Sequence, residues 1–173
     1  MDLLFNFGLI LIILFLLFLL SMVWPPDSPW SPWWRTNIKT ARIAFKLAGL
    51  KKSDTVYELG SGEGTVLITA AKEFGAKGVG IEIDPLRFYL SKFFVWREGL
   101  GSKIKLKRGN FFEFDFSNAT VVFVYLVPKA LIRLLPKFRK ELRKGTKIIS
   151  YKYEMDLRLL KEDRKNEIRV YVI

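Results

Sequence analysis

The sequence predicts an α/β chain: a Rossmann-like sheet of mainly parallel strands, preceded by one long apolar helix. Three observations carry this. Residues 55–85 read TVYELGSGEGTVLITAAKEFGAKGVGIEIDP, a strand, a glycine turn, a helix and a second strand closing on carboxylates. That is the layout of a half-fold that holds an adenosine-containing ligand at the carboxyl ends of parallel strands. Beyond it, β-prone apolar runs go on alternating with runs of helical period. Ahead of it, residues 3–20 form an 18-residue stretch without a charge.

Only Asn6 and Gly8 interrupt the apolar character of that first stretch, and extended through Val23 it gives about 30 Å of helix, enough for a bilayer core. Residues 1–23 are therefore expected to be a transmembrane anchor. A cleaved signal peptide fits less well, because no Lys or Arg precedes the run, the run is too long and no small-x-small site follows. Arg35, Lys39, Arg42, Lys46, Lys51 and Lys52 follow it, and basic residues stay on the cytoplasmic side. The expectation is a single-pass protein of the cell membrane with its domain in the cytoplasm. Residues 24–35 form a Trp/Pro-rich linker that cannot continue the helix, and its tryptophans suit the headgroup layer. Alternatively, Trp33 and Trp34 fold back over the ligand.

The first 34 residues hold Asp2 and Asp27 and no basic residue, which leaves the remainder with 29 basic against 15 acidic side chains. Such a field favours an anionic partner: the anionic leaflet beneath the domain is nearest, and nucleic acid stays open. Cys and His are both absent. That excludes disulfides, thiolate nucleophiles, Ser-His-Asp arrangements and metal sites built on His or Cys, so no metal is expected. Gln is absent too while Lys, Glu and Arg abound, which fits a heat-adapted cytosol.

The domain over 36–173 opens with a helix at 38–50 whose Ile38, Ala41, Phe45 and Ala48 can face inward. A strand at 55–59 delivers Glu58, followed by Gly60, Ser61, Gly62, Glu63 and Gly64. Glycines at alternate positions let the backbone turn sharply and approach a ligand. The next helix starts near Thr65, with Leu67, Ala70, Ala71 and Phe74 toward the sheet and Gly75 as its left-handed cap. A strand at 78–83 brings Glu82 to its end, 20 residues after Gly62, where a carboxylate can accept from both ribose hydroxyls. The helix at 85–99 is expected to bury Leu86, Tyr89, Leu90 and Phe93, with Phe94 and Trp96 also reading as core. A third strand, 103–107, delivers Gly109, Asn110 and Phe111; a fourth, 120–126, is apolar enough to be central. Two helical pieces, 129–135 and 137–144, are expected on either side of Pro136. A strand at 147–151 and a hairpin of 157–160 with 167–173 then complete a seven-stranded sheet whose last strand is antiparallel.

The turn departs from the dinucleotide pattern G-x-G-x-x-G, since Thr65 stands where the third glycine belongs, and no GxxxxGK[ST] loop occurs. It resembles motif I of the class I S-adenosylmethionine-dependent methyltransferases, with Glu82 as the ribose acid of motif II. The combination ELGSGEG, GVGIEID, GNFFEFDFSNATVV and ELRKGTKIIS is similar to the small archaeal protein-lysine methyltransferases of broad specificity. With the apolar run ahead of it, the chain is also similar to the membrane-anchored lysine methyltransferases of mitochondria. The resemblance covers about 36–173. It implies a Rossmann-like methyltransferase sheet, S-adenosylmethionine as cofactor and protein lysine side chains as acceptors. The cofactor would be bound by Glu58, Gly60, Ser61, Gly62, Gly64, Glu82, Asn110 and the backbone of Phe111. Asn110 could equally close a turn. At the entry, relatives carry a Val-Pro-Thr style segment where this chain has Trp33, Trp34, Arg35 and Thr36.

A lysine acceptor must lose its proton from a pKa of about 10.4, and an apolar aromatic channel lowers that by desolvation. Tyr125, Phe111 and Trp34 are the candidate walls. The end of strand four, Tyr125-Leu126-Val127-Pro128, is not the Asn/Asp-Pro-Pro-aromatic tetrad of amino-methylating nucleic-acid enzymes. Two other classes stay open: a lipid or small-molecule methyltransferase at the membrane, and a non-catalytic membrane-tethered binding domain.

Overall fold

The computed structural model describes residues 2–23 and 34–173, with side chains described for 4–20 and 34–173. Its elements are α1 (Asp2–Val23), α2 (Ile38–Ala48), β1 (Thr55–Leu59), α3 (Thr65–Glu73), β2 (Lys77–Glu82), α4 (Pro85–Arg97) and β3 (Ile104–Arg108). They continue with a single 3-10 turn (Phe111–Glu113), β4 (Val121–Val124), α5 (Pro128–Glu141), β5 (Lys147–Tyr151), β6 (Arg158–Asp163) and β7 (Ile168–Val172). The strands form one seven-stranded sheet in the order β3-β2-β1-β4-β5-β7-β6. β1 to β5 pair in parallel, and β7 is antiparallel to both β5 and β6. The expected α/β class, strand number and antiparallel last strand are all found.

Side chains alternate across a strand, so consecutive residues of the central strands enter opposite cores. Val56, Val121, Phe123 and Ile149 pack with Ala41 and Phe45 of α2 and Leu67 and Ala70 of α3. On the other face Leu59, Val122, Val124 and Ile148 pack with Leu131, Leu134 and Phe138 of α5. Both faces being covered explains why β4 is apolar throughout. α2 is capped at both ends, Asn37 Oδ1 accepting from the Thr40 N–H at 2.8 Å and left-handed Gly49 closing it, and Gly75 after α3 is left-handed as expected, with φ 71°.

Several expectations need correction. Ile38 is half exposed, and Ala44 takes the inward place beside Ala41, Phe45 and Ala48. α4 is turned away from its expected face: it buries Arg87, Ser91 and Val95, while Leu86, Tyr89 and Phe93 are exposed and Trp96 is 73% exposed. The small side chain of Ser91 faces the glycine turn: a Cβ at Gly64 would lie 3.5 Å from Ser91 Cβ, an ordinary contact distance. α5 is one helix rather than two: Pro136 lies within it on the exposed side, as does Ile132, the residue four before it whose carbonyl a proline cannot bond. β6 runs on to Asp163, with the turn after it.

The membrane-crossing helix expected over 1–23 is also not met as stated. A 22-residue helix is present, but among the described residues no helix is long and apolar enough to cross a membrane. In α1 the side chains are described for residues 4–20. Their leucines, isoleucines and phenylalanines are exposed, up to 81% at Leu4. The linker expected over 24–35 lies outside the described residues apart from Trp34 and Arg35.

One close approach in the sheet decides where the site can form. A Cβ at Gly80 would meet Leu67 Cδ1 at 2.7 Å, Leu106 Cδ2 at 2.8 Å and Ser61 Oγ at 2.8 Å. Gly80→Ala should therefore destabilise the domain by about 1–3 kcal/mol through overpacking, measured by denaturant unfolding. Wild-type stability would show that α3 and the glycine turn yield freely.

Candidate active site

Strand order reverses between β1 and β4, and the crevice outside the carboxyl ends of such strands is where open α/β sheets bind ligands. Leu59 of β1 pairs with Val124 of β4, so the turn beginning at Gly60 and the side chain of Tyr125 leave the sheet side by side. The turn is pinned to the neighbouring strand. Gly60 and Ser61 N–H donate to the Ile81 carbonyl at 2.9 and 3.0 Å, and Gly64 N–H donates to the Ser61 carbonyl at 2.8 Å. Gly60, Gly62 and Gly64 have φ of 76°, 51° and 79°, left-handed values that strain any side chain.

Glu82 closes this turn. Its Oε2 accepts from the Gly62 N–H at 2.7 Å and its Oε1 from the Asp84 N–H at 2.9 Å. A carboxylate offers about four acceptor positions, so each oxygen retains one for a ligand hydroxyl. Glu58 lies one strand over, at the end of β1, and is buried. Burial pushes its carboxyl well above the ordinary range, the Glu82 charge pushes further, and the Leu67 N–H opposes them. Burial raises Glu82 as well, against the N–H groups of Asp84 and Gly62. Arg87, also buried, has its guanidinium lowered by desolvation and supported by the charges of Asp84, Glu82 and Glu63.

Among the described residues, Glu58 Oε2 and Ser61 Oγ are buried oxygens without a hydrogen-bond partner. Buried groups of this kind are normally satisfied. Two carboxyls and an orphaned hydroxyl around a glycine turn fit a ligand that brings hydroxyl and ammonium donors. No group of three metal-ligating side chains forms among the described residues.

The turn opens on a small cavity of about 40 Å³, bounded among others by Trp34, Arg35, Glu58, Ser61, Glu63 and Tyr125. That is room for a few waters, so it houses only part of an adenosine-sized ligand. Arg35 and Glu63 form an ion pair beside it. The rings of Trp34 and Tyr125 lie 5.8 Å apart, and those of Tyr125 and Tyr151 4.5 Å apart. Lys152 Nζ stands 5.1 Å from the centre of the Trp34 ring and 5.9 Å from that of Tyr125. A bond with the Tyr125 hydroxyl raises the Lys152 pKa, while burial raises that of Tyr125.

Glu58, Gly60, Ser61 and Gly62 thus meet Trp34 and Tyr125 at one cavity, with Glu82 and Gly64 behind the turn. Asn110 and Phe111 stand elsewhere, beyond β3. Gly109 N–H donates to the Glu82 carbonyl at 2.9 Å, which places them along the same sheet edge. Asn110 Oδ1 accepts from the Phe112 N–H at 3.1 Å and so closes a turn, with its second lone pair left over. Phe111 packs on Phe112 at 4.7 Å and against the core on the α5 side, so it is not part of the Trp34–Tyr125 wall. Trp33 lies outside the described residues. Sequence reasoning missed Glu63, Arg87, Tyr151 and Lys152. Tyr151 and Lys152 had a usable signal, since they end a parallel strand whose carboxyl edge must face the crevice.

The profile of the ANTKMT methyltransferase domain matches residues 58–159. A protein-lysine N-methyltransferase of Saccharolobus islandicus is 38% identical over 118 residues, covering 68% of this chain and 73% of that protein. A lysine N-methyltransferase of Xenopus laevis, named for a subunit of ATP synthase, is 30% identical over 102 residues, 59% of this chain and 45% of its own length. The chain thus spans less than half of that relative. Among solved structures, an RNA methyltransferase from Salinibacter ruber in complex with S-adenosyl-L-homocysteine superposes with a TM-score of 0.75 and 32% identity, covering 81% of this chain and 94% of that one.

The buried acids make a pH signature. Because the folded-state pKa of Glu58 is raised, its neutral form favours folding. That contribution is whole below the unfolded value of about 4.5 and is lost as pH rises through the folded one. Glu58→Gln, neutral throughout, should match wild-type stability in acid and exceed it at neutral pH, read as unfolding midpoints across pH. A gap that shrinks as pH rises would reverse this sign.

Proposed function

The chain belongs to the ANTKMT methyltransferase-domain family, and from that premise we propose that it methylates lysine side chains of proteins, using S-adenosylmethionine, from a membrane tether. The observation that carries the reading is the Glu82-clamped glycine turn, with the orphaned Glu58 oxygen beside it, opening on an aromatic wall at the switch point. Glu82 takes the ribose hydroxyls on its remaining lone pairs. Glu58 and Ser61 face the amino-acid end, and Asn110 with the backbone of Phe111 serves the adenine. When bound, the cofactor supplies a methyl group on a sulfonium, with a neutral thioether as leaving group.

What remains for the chain is positioning and exclusion of water. The faces of Trp34 and Tyr125 receive the acceptor's ammonium, and desolvation against them favours its neutral form once the proton has gone to solvent. The amine must then lie in line with the bond that breaks. The Saccharolobus and Xenopus relatives are lysine methyltransferases, which supports this acceptor. The Salinibacter relative is an RNA methyltransferase, and the basic surface suits RNA, but the end of β4 lacks the tetrad that grips a base nitrogen. Support for the tether comes from α1, with its exposed leucines and no basic residue, and from the basic residues that begin at Arg35. This favours the cell membrane with the domain in the cytoplasm, where tethering raises the effective concentration of membrane proteins as acceptors.

With methyl-labelled S-adenosylmethionine and cell fractions, label should appear on protein and be recovered as methyl-lysine after acid hydrolysis. Label confined to RNA or lipid extract would replace the acceptor assignment. Gly62→Val, which puts a branched Cβ at a left-handed position facing the ligand, should lose S-adenosylmethionine binding. Glu82→Ala should lose roughly 1.5–3 kcal/mol of it, by calorimetry. After cell fractionation the full chain should stay with membranes through an alkaline wash; recovery in the soluble fraction would remove the tether.

A further inference from the structure

We propose that the Trp34–Tyr125 ring pair is the seat of the acceptor's ammonium and that Lys152 occupies this seat as an internal competitor, swung out when an acceptor lysine binds. The inference rests on the lysine-acceptor reading and adds what guards that acceptor site.

The first ground is geometry. Lys152 Nζ is 5.1 Å and 5.9 Å from the two ring centres, both within the roughly 6 Å at which ring faces attract a cation. The same two rings line the cavity with Glu58, Gly60 and Ser61, so a cation seated beside both rings borders the cradle assigned to the cofactor. A lysine from another protein would need this place, carrying the same charged group on the same four-carbon stem.

The second ground is the backbone. Lys152 has φ 74°, left-handed and uncommon for a side chain with a Cβ. The strain is held by specific bonds. Lys152 N–H donates to the Glu167 carbonyl at 2.7 Å, the Lys152 carbonyl accepts from Arg169 at 3.0 Å, and Ser150 Oγ donates to the Tyr153 carbonyl at 2.6 Å. Strained residues fixed by their surroundings cluster at functional sites. Here the bend at the end of β5 sets Lys152 over the rings.

The third ground is mobility. Lys152 is exposed, so its side chain can leave the rings for water without a change in the core. An incoming lysine must displace it, and a competitor carried on the same chain acts at a high effective concentration.

The test uses the full chain and its Lys152→Met variant, which keeps the stem and removes the charge. For methylation of a lysine peptide, KM should fall about three- to tenfold in the variant, the range expected from losing one weakly held cation on two rings. Lys152→Arg, which retains a cation there, should not gain. A raised or unchanged KM in Lys152→Met would overturn the proposal. Binding of butyltrimethylammonium, a cation that cannot accept a methyl group, reads the seat without catalysis. It should bind more tightly to Lys152→Met than to wild type, and the gain should vanish on adding Trp34→Ala. Tighter cation binding without any lysine methylation would keep the seat and sink the acceptor assignment instead. No gain in cation binding would sink the seat.

Discussion

The Glu82 carboxylate, accepting one backbone N–H from Gly62 and one from Asp84, is the constraint on which the rest of the site depends. One bond holds the apex of the glycine turn against the end of β2, and the other sets the residue that caps α4, where Asp84 Oδ1 takes the Arg87 N–H at 2.8 Å. The turn can come this close only because Gly80 has no side chain, and α4 seats against it with Ser91 facing Gly64. A single acid thus fixes the path of a loop and the start of a helix.

That arrangement concentrates negative charge inside a basic molecule. Glu58 and Glu82 are buried near each other, with Arg87 as the nearby buried cation, while net charge over the chain is +12. Folding alone disfavours ionising both acids. A ligand with a positive centre and hydroxyl donors would relieve that cost, so stability withheld from the empty domain becomes affinity for the ligand.

Much of this was legible in the sequence, and what was not has a common cause. The glycine turn, Glu58 and Glu82 were readable because they depend on spacing within one βαβ unit. Strand number and the closing hairpin followed from alternation and turn residues. The face of α4 was not readable: aromatic residues gave it an apparent core stripe, but the buried face carries Arg87, Ser91 and Val95, two of them polar. Tyr151 and Lys152 belong to the site through strand order, which places the end of β5 beside that of β4. Asn110 shows a residue type that serves two purposes, and sequence alone cannot say which comes first.

The antiparallel end of the sheet bears on how the chain folds as it is made. β7 lies between β5 and β6, so when β6 leaves the ribosome it has no neighbour to pair with, and β5 carries an open edge. Residues 168–172 settle both at once. The Thr146 carbonyl accepts from the Ile173 N–H at 3.1 Å and the Gly145 N–H donates back to the Ile173 carbonyl at 3.0 Å, so Ile173 also ties down the loop before β5. Such pairing between distant segments is slow compared with helix formation. Since Tyr151 and Lys152 stand at the end of β5, the aromatic wall takes its final shape only once β7 has paired with that strand.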